Sequence, residues 1–495
     1  MPLIVPDTPA PPFALPSTRA GPVSLGDLLA AGTTRVMFVH DDCPTCELAL
    51  RRVAGSGAEV AVICEADPAA AARLAQRTGF GGVMLAEPAP YETSRAYGLD
   101  AVPTTIAIGA GGEIAAAVVG WDGPALAALL DVDLTAEAPL RKPGCAAKST
   151  YAAEQLAADA ATPADDDPEA LYELGWTDGL PVVAPTPERV AAMLAGRDPH
   201  RSLGAVPPGM GDATVERVAV CAVLAGCRPE HFAVVAAAAD AMLEPGFNLH
   251  GQAVTTQPCG QIAVVNGPAR HAAGLNFGMG ALGPGTRGNA TIGRALRLLV
   301  SLTGEGMPGR LDRSTLGQPG KVGVCLAEDE VRSPWPPLHV ERGFPAAASV
   351  VTMFAGDAPL SVSEHRSRTP AGLAAALGWA AATLWSPNWW PLGSATLFVV
   401  CPEHADTLAA DGWSKADVRE AIWNAVQRPA GELRHGETTD RVAAAPDDAP
   451  VPKWDSPDDI VLIVAGGEAG RFSAVFGPCV GMDWKPVSRE VQCDT

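Results

Sequence analysis

The chain has 495 residues, 47% of them hydrophobic, and a formal net charge of −21 at pH 7. This length allows two to four domains with sizeable cores. The charge argues against a nucleic acid or an anionic membrane surface as a partner, because both would repel the protein. Charge or proline interrupts every apolar stretch before it reaches the length of a membrane helix, so we expect no membrane partner.

Cysteine usage bears on the compartment. Residues 1–7 contain neither the basic region nor the hydrophobic core of a secretory signal. The chain has eleven cysteines, an odd number, spread over its whole length. This usage is typical of a reducing compartment, where most cysteines are free and a few are catalytic. We therefore expect a cytoplasmic protein whose thiol chemistry runs in the direction of reduction.

Cys43 and Cys46 form the first chemical motif, Cys-Pro-Thr-Cys, directly after an apolar strand predicted at 36–39. Two thiols separated by two residues at the start of a helix can close into a disulfide and reopen. The helix amides and the partner thiol lower the pKa of Cys43, which makes it the attacking sulfur. A zinc knuckle would need a second ligand pair, and no further Cys-x-x-Cys occurs in the sequence. The motif therefore predicts thiol–disulfide exchange.

Three further segments resemble the TlpA-like and peroxiredoxin-like branch of the thioredoxin superfamily, namely 12–16, 23–29 and 97–108. The resemblance covers residues 10–132 and implies a thioredoxin-like domain over 1–135. It implies that Cys43 is the nucleophile, Cys46 the resolving thiol and Pro103 the cis-proline of this fold. The backbone before that proline would then lie opposite the dithiol and pair with a bound substrate chain.

Residues 136–167 are predicted to form a flexible linker, because Ala, Pro, Lys and Asp dominate and only one aromatic residue occurs there. We expect one short helix at 151–160 within this tether. Cys145 lies inside it and is expected to be an exposed bystander. Such a tether would let the first domain swing between an electron donor and a client on the same chain.

The sequence at 168–475 alternates between strand and helix patterns and predicts a larger α/β catalytic domain. Its predicted strands are 261–265, 321–326, 349–354, 395–401 and 459–464. Its predicted helices are 187–195, 215–225, 233–243, 293–302, 369–384 and 415–426. The alternation indicates a mixed or mostly parallel sheet with ligands at the carboxyl ends of its strands. Residues 476–495 are then a cysteine-bearing C-terminal tail.

Five segments of the larger domain resemble a bacterial family known as UGSC-type (seleno)proteins, namely 173–183, 266–268, 289–295, 339–344 and 411–415. The resemblance covers most of residues 168–475. The family name implies that some members use selenocysteine, so it implies a chalcogen nucleophile in this domain. The sequence contains no Cys-Gly-Ser-Cys run onto which a motif of that kind could be placed.

Cys259 is the first candidate for such a nucleophile. It lies in a turn-like stretch before a predicted strand, where the neighbouring Pro and Gly permit a substrate to approach the backbone closely. His250 lies nine residues earlier and could act as a base or an orienting donor if the loop folds back. The alternatives are a buried structural thiol and an ordinary loop histidine.

Cys479 and Cys493 provide further thiols near the C-terminus, and the Cys479 loop repeats the Pro-Cys character of the Cys259 loop. We hypothesise that Cys259 pairs with Cys479, or Cys479 with Cys493, during turnover. Cys43 would then attack that disulfide. The alternative is a disordered tail with an incidental thiol.

Residues 283–288 match the letters of the dinucleotide-binding fingerprint and precede a predicted helix. No strand pattern precedes them and no acidic residue follows at the required spacing, so NAD(P) is not expected. The N-terminus of a helix remains, and its amide groups suit a carboxylate or phosphate. The candidate substrate-binding residues there are Arg287, Asn289, Thr291 and Arg294.

The spacing of histidines and acidic residues contains no His-Glu-x-x-His or paired metal motif. We therefore expect no metal centre, with His339 and Glu341 as the remaining candidates because they face one side of an extended segment. Redox-active cysteines suffice for the expected chemistry without a cofactor, although a metal is possible.

These features together predict a thiol-dependent redox enzyme. The thioredoxin-like domain re-reduces a cysteine-based site acting on a small anionic substrate, with electrons from an external thiol or a thioredoxin-reductase-type donor. A homo-oligomer is possible. Two alternatives stay open. In the first, the protein is a metal-dependent lyase or hydrolase, and the thioredoxin-like domain keeps its metal-binding cysteines reduced. In the second, the protein is a redox chaperone, and the larger domain only docks a partner for the dithiol.

Overall fold

The computed structural model describes two α/β units with separate hydrophobic cores. The described residues are 6–19, 21–32, 34–41, 43–88, 91–99, 101–109, 111–134, 141–142, 144–147, 168–386, 389, 391–435, 440–480 and 483–492. The first unit is built from described residues up to 147 and the second from those after 167. The prediction of two α/β domains is confirmed.

The first unit is built on a five-stranded sheet. Its elements in chain order are β1 (Ala14–Pro16), β2 (Pro22–Ser24), α1 (Leu25–Ala30), β3 (Arg35–Val39), α2 (Pro44–Ser56), β4 (Ala61–Cys64), α3 (Pro68–Thr78), β5 (Met84–Ala86), α4 (Glu92–Ala96), β6 (Ala101–Val102), β7 (Thr104–Ile108), β8 (Ile114–Val119), β9 (Trp121–Asp122) and α5 (Gly123–Leu130). The strand order is β5-β4-β3-β7-β8, with β3, β4 and β5 parallel and β7 and β8 antiparallel. Strand β3 lies at the centre, and most of its residues are buried.

The start of α2 places the dithiol near the carboxyl end of the central strand β3. Cys43 is the N-cap residue and Pro44 the first helical residue, where the fixed φ of proline suits a helix. The peptide bond between Val102 and Pro103 is cis, as the resemblance implies. The sheet order, the position of the dithiol and the cis-proline before β7 make the first unit a thioredoxin-like domain, which confirms the predicted fold.

Residues 141–142 and 144–147 belong to the first unit and are not part of a free linker. Strand β10 (Arg141–Lys142) pairs with β9, and β11 (Cys145–Ala146) pairs with β6. Cys145 is only 9% exposed and packs in the first core, so the expectation of an exposed bystander is wrong. The pairing with β6 buries it. The predicted helix at 151–160 lies outside the described residues.

The second unit is built on a seven-stranded sheet. The strands of this unit, in chain order, are β12 (Ser202–Val206), β13 (Gly211–Thr214), β14 (Gly260–Asn266), β15 (Val324–Ala327), β16 (Val350–Ser363), β17 (Thr396–Val400), β18 (Gln427–Pro429), β19 (Pro450–Pro452), β20 (Ile460–Val464), β21 (Phe472–Pro478) and β22 (Val487–Glu490). The β12–β13 and β18–β19 pairs form two small sheets of their own. The sheet order is β15-β14-β16-β21-β17-β20, and β22 also pairs with β16. Among the described strands of this sheet, the β14–β15 and β17–β20 pairs are parallel and the others antiparallel. The sheet is therefore mixed.

Helices cover both faces of the larger sheet. They are α6 (Pro168–Glu173), α7 (Pro187–Leu194), α8 (Val215–Ala225), α9 (Phe232–Leu243), α10 (Leu249–Val254), α11 (Ala269–Ala272), α12 (Arg287–Leu298), α13 (Leu338–Glu341), α14 (Pro370–Ala381), α15 (Pro402–Leu408), α16 (Lys415–Ala425) and α17 (Asp440–Ala444). Alternate residues of β17 point to opposite faces. Leu397 and Val399 pack in the core under α8, α9 and α12, whereas Phe398 and Val400 pack under α14 and α16. The unit is a three-layered α/β/α domain.

The predicted strands and helices of the larger domain are all present, with shifted ends. Strand β16 continues to Ser363, well past the predicted end at residue 354. The predicted tail is corrected, because β21 runs through the boundary at residue 475 in the middle of the sheet and β22 pairs with β16. Cys493 lies outside the described residues.

Among the described residues, no single helix is long and apolar enough to cross a bilayer. Only the bent pair Pro229–Leu243 and Pro245–Val254, with axes 77° apart, reaches the required length and composition. Many side chains of this pair are buried in the core of the larger unit.

A disulfide joins Cys259, just before β14, to Cys479, just after β21. The two residues are 220 positions apart in the sequence. It therefore closes a very long loop and connects two strands that flank β16.

We expect the Cys259→Ala/Cys479→Ala variant to unfold more easily by about 4 kcal/mol, because a cross-link over a long loop lowers the entropy of the unfolded chain. Urea denaturation followed by tryptophan fluorescence measures this, since ten of the eleven tryptophans lie after residue 167. The matched control is Cys221→Ala/Cys401→Ala, which removes two buried free thiols. Equal midpoints for the two double variants would contradict the expectation.

Candidate functional site

The Cys43 sulfur caps the N-terminal end of α2. It accepts a hydrogen bond from the backbone N–H of Cys46 at 3.2 Å. The first amides of a helix have no partner within the helix, so the sulfur takes the place of a capping oxygen. Only 3% of Cys43 is exposed, and Cys46 is fully buried. A negative charge on Cys43 is therefore favoured by the helix end and shielded from bulk water.

A third sulfur lies beside the dithiol. Cys145 Sγ is 2.9 Å from Cys43 Sγ. Its strand pairs antiparallel with β6 in a register that places Cys145 opposite Val102, the residue before the cis-proline Pro103. The Val102 carbonyl oxygen is itself 3.8 Å from Cys43 Sγ. The site therefore contains three cysteines, of which the sequence motif reveals only two.

The two motif cysteines have opposite pKa shifts. Burial alone would raise the pKa of the Cys43 thiol, but hydrogen bonds from Cys145 and Cys46 and the positive charge of His40 hold it well below the ordinary value. Burial, together with the nearby Cys43 sulfur, raises the pKa of Cys46 well above the ordinary value. These shifts favour a thiolate at Cys43 and a protonated thiol at Cys46. The roles of nucleophile and resolving thiol stay predictions.

Two histidines from different domains meet next to the dithiol. His40 directly follows β3, and His250 lies in α10 of the larger domain. Their Nε2 atoms are 3.2 Å apart and their rings are nearly perpendicular, so one imidazole donates and the other accepts. Both residues are buried. The sequence predicts that His250 serves Cys259 as a base or orienting donor, but the structure places the His250 ring against His40.

A cavity of about 790 Å³ lies between the two domains and reaches Cys43. Both domains line it, with Tyr91 from the first and Met242 and Leu249 from the second. Its charged lining includes both signs, namely Asp41, Glu47, Arg73, Arg77, Glu244 and Asp483. Such a space admits a small molecule or a side chain to the thiolate.

The disulfide of the larger domain is enclosed, with 1% of Cys259 and none of Cys479 exposed. Gln257 bridges its two loops: its Nε2 donates to the carbonyl before Cys479 at 3.1 Å, and its Oε1 accepts from the N–H after Cys479 at 2.9 Å. Asp357 lies 3.5 Å from the same Nε2, and burial raises its pKa to about 6. Of the pairings that the sequence leaves open, the structure contains Cys259–Cys479.

The four residues predicted to bind an anion at α12 make contacts within the protein. Arg294 holds both carboxylate oxygens of Asp178, at 2.8 and 2.7 Å. Asn289 is 5% exposed and bonds the backbone of the preceding loop. Arg287 donates to a carbonyl in the turn after α8, and Thr291 donates to the Arg287 carbonyl. Their substrate-binding role stays a prediction.

The two metal candidates from the sequence have other surroundings. Glu341 accepts from Lys415 at 2.9 Å and from Arg419 at 3.1 Å, so two cations already neutralise its charge. His339 is fully buried, and its Nε2 lies 3.4 Å from a backbone carbonyl.

A different cluster offers metal-ligating atoms. Donor atoms of His40, Cys43 and Cys145 all lie within 4.8 Å of one another, and all three residues are buried. Thiolate and imidazole ligands suit a soft divalent ion such as zinc. The structure therefore contains a group that could hold a metal, at the dithiol and not at His339.

The sequence reading missed Cys145 and His40 as site residues. His40 carries a local signal, because it stands between the strand and the Cys-x-x-Cys motif. Cys145 carries none, since only the pairing of β11 with β6 brings it to Cys43.

No family model and no curated protein matches the chain. Among solved structures, it is similar to a Chlorobium tepidum protein assigned as a thiol:disulfide interchange protein DsbE, with 22% identity, 26% of this chain, 93% of that chain and a TM-score of 0.22. A thiol-disulfide oxidoreductase from Bacteroides fragilis is 20% identical over 25% of this chain and 98% of its own, with a TM-score of 0.21. A secreted disulfide oxidoreductase from Mycobacterium tuberculosis is 16% identical over 24% of this chain and 94% of its own, with a TM-score of 0.20. The site assignment therefore rests on the geometry above.

Alkylation of Cys43 by iodoacetamide should accelerate with pH around a midpoint well below that of a free thiol, because the thiolate is the reactive form. His40→Asn removes a charge that favours the thiolate, and we expect the midpoint to rise by about one pH unit. Mass spectrometry of the Cys43 peptide gives the rate at each pH. The control His271→Asn, at an exposed histidine, should leave it unchanged. An unchanged midpoint in His40→Asn would refute the role of the charge.

Arg294→Ala should destabilise the larger domain by roughly 3–5 kcal/mol, because it leaves the Asp178 carboxylate buried without its partner. Burial would raise the pKa of Asp178, but Arg294 holds it below the ordinary value. This ion pair therefore contributes stability above the unfolded-state pKa, and the contribution is lost as the pH falls through the lowered value. Urea midpoints at several pH values test this, with Asp178→Asn/Arg294→Ala expected to flatten the pH dependence. Full stability of Arg294→Ala would favour a ligand role for Arg294.

Proposed function

We propose that the protein is a thiol–disulfide oxidoreductase whose first domain reduces disulfides through Cys43 and Cys46. The observation that carries this proposal is the Cys43 sulfur, which is buried, caps α2 and has a lowered pKa. The neighbouring Cys46 has a raised pKa. Such a pair supplies one thiolate that attacks and one protonated thiol that resolves.

The reaction proceeds in two exchanges. The Cys43 thiolate attacks one sulfur of a substrate disulfide, a mixed disulfide forms, and the other substrate sulfur leaves as a thiolate. A thiol at the site then loses its proton and attacks Cys43 Sγ, and the second substrate thiolate leaves. Two protein thiols are oxidised to a disulfide and one substrate disulfide is reduced to two thiols.

The disulfide Cys259–Cys479 is the proposed electron acceptor on the same chain. His250 contacts His40 beside the dithiol and precedes Cys259 by nine residues, a stretch that spans at most about 30 Å. Since both acceptor sulfurs are buried, the loops that Gln257 bridges must open for exchange. The resemblance of the larger domain to a family with selenoproteins supports sulfur chemistry there.

The reduced Cys259 would then serve a small anionic substrate in the larger domain. An external thiol or a thioredoxin-reductase-type donor would return electrons to Cys43 and Cys46. This cycle suits a reducing cytoplasm.

A metal-dependent reaction is the second candidate, which the donor atoms of His40, Cys43 and Cys145 favour. In that case the purified protein holds about one equivalent of zinc or a related ion, and Cys43→Ser releases it. Elemental analysis separates this candidate from thiol exchange.

Reduction of glutathione disulfide by the full chain should fall at least about 100-fold in Cys43→Ser, because Cys43 has the lowered pKa of the Cys-x-x-Cys pair and Cys46 a raised one. The appearance of glutathione thiol measures the rate. Cys64→Ala, which removes another buried thiol of the first domain, is the matched control. Equal rates in the wild type and Cys43→Ser would exclude the proposed function.

Trapping a mixed disulfide on Cys43 identifies which disulfide accepts its electrons. Cys46→Ser/Cys145→Ser leaves Cys43 as the only thiol among the three at the site, so its mixed disulfides should persist. We expect peptide mapping to find Cys43 joined to Cys259 or Cys479. Cys43 joined only to external thiols would remove the on-chain acceptor and leave the reductase activity in place.

A further inference from the structure

We propose that Cys145 is a third redox-active thiol, which its own strand holds in the position of a substrate sulfur. It would resolve mixed disulfides on Cys43 by forming a Cys43–Cys145 bond. This inference rests on the proposed thiol–disulfide function and adds a residue that the Cys-x-x-Cys motif does not contain.

The backbone of β11 occupies the edge where a substrate chain is expected to bind. Residues Cys145 and Ala146 pair antiparallel with Val102 and Ala101, directly before the cis-proline. Strand addition of this kind uses main-chain hydrogen bonds and sets which side chain faces the partner. In this register, the side chain that faces the dithiol is a cysteine.

Gly144, directly before β11, packs closely against the backbone of β6. A Cβ atom at this position would lie 2.6 Å from the Val102 carbonyl oxygen and 3.3 Å from the Ala101 Cβ. Only glycine permits so close an approach of two backbones. A side chain at position 144 would therefore push β11 away from β6.

The sulfur separation suits exchange better than metal binding. Cys43 Sγ and Cys145 Sγ are 2.9 Å apart. In a tetrahedral zinc site with zinc–sulfur bonds of about 2.3 Å, two sulfurs lie roughly 3.8 Å apart. The observed distance is shorter than that edge, so a metal ion held by both sulfurs would have to push them apart. Cys145 is thus placed to attack any disulfide that forms on Cys43.

The step balances without a further reactant. In the mixed disulfide, Cys43 Sγ is bonded to a substrate sulfur. The Cys145 thiolate attacks Cys43 Sγ, the Cys43–Cys145 bond forms, and the substrate thiolate leaves and takes up the proton that Cys145 lost. Cys46 can then attack Cys43 Sγ, which moves the disulfide to Cys43–Cys46 and frees Cys145. That last exchange transfers no net electrons.

Thiol release from glutathione disulfide tests the proposal on the full chain. We expect two thiols per protein from the wild type and also from Cys46→Ser, because Cys145 replaces Cys46 as the resolving thiol. Peptide mapping after acid quenching and maleimide blocking should find Cys43 joined to Cys145 in Cys46→Ser. We expect Cys46→Ser/Cys145→Ser to release one thiol and keep a glutathione adduct on Cys43.

Gly144→Ala in the Cys46→Ser background is a second variant that keeps every remaining thiol. The added methyl group displaces β11, so release of the second thiol should slow by roughly 100-fold. Cys64→Ala in the same background is the matched control and should release two thiols at the unchanged rate.

Three results separate the two proposals. One thiol from Cys46→Ser, or a Gly144→Ala rate equal to the control, overturns the role of Cys145 while the reductase function stands. No thiol from the wild type overturns the reductase function itself. Two thiols from Cys46→Ser with a mapped Cys43–Cys145 bond support both.

Discussion

A sulfur anion held away from water is the constraint on which the first domain depends. Moving a thiolate out of solvent is unfavourable, so a negative charge on Cys43 needs stabilising groups around it. The N–H of Cys46 and the thiol of Cys145 donate hydrogen bonds to the sulfur, and His40 contributes a positive charge. These groups come from the start of α2, from β11 and from the end of β3. The sheet brings them to one atom, and the same contacts favour a thiolate at Cys43 over one at Cys46.

The contact between the two domains extends this arrangement. His250 of α10 meets His40, and the cavity beside Cys43 has walls from both domains. Val254, at the end of the same helix, packs in the core of the first domain. Any movement of the larger domain against the first therefore alters the surroundings of the thiolate. That coupling is the physical link between a dithiol in one domain and the disulfide that begins at Cys259, a few residues further along the chain.

The second sulfur pair is held by different means. Cys259 and Cys479 are joined covalently, lie beside the central strands and are enclosed by a three-layered domain. The amide of Gln257 bonds the backbone on both sides of Cys479, and Asp357 with its raised pKa lies beside that amide. The first site thus favours a free thiolate, whereas the second holds a closed disulfide bond.

The sequence by itself determined what local patterns encode. The helix start at Cys43 and the strands and helices of the larger domain follow from short-range periodicity, capping and turn residues, and the structure bears them out. The cis bond before Pro103, which the family resemblance implies, is also present. Tertiary structure alone decided the position of Cys145, the meeting of His40 with His250 and the central place of β21. Those features depend on pairing between segments far apart in the chain. Neither their periodicity nor their composition specifies the partner, because register and strand order are set by the packing of the whole sheet.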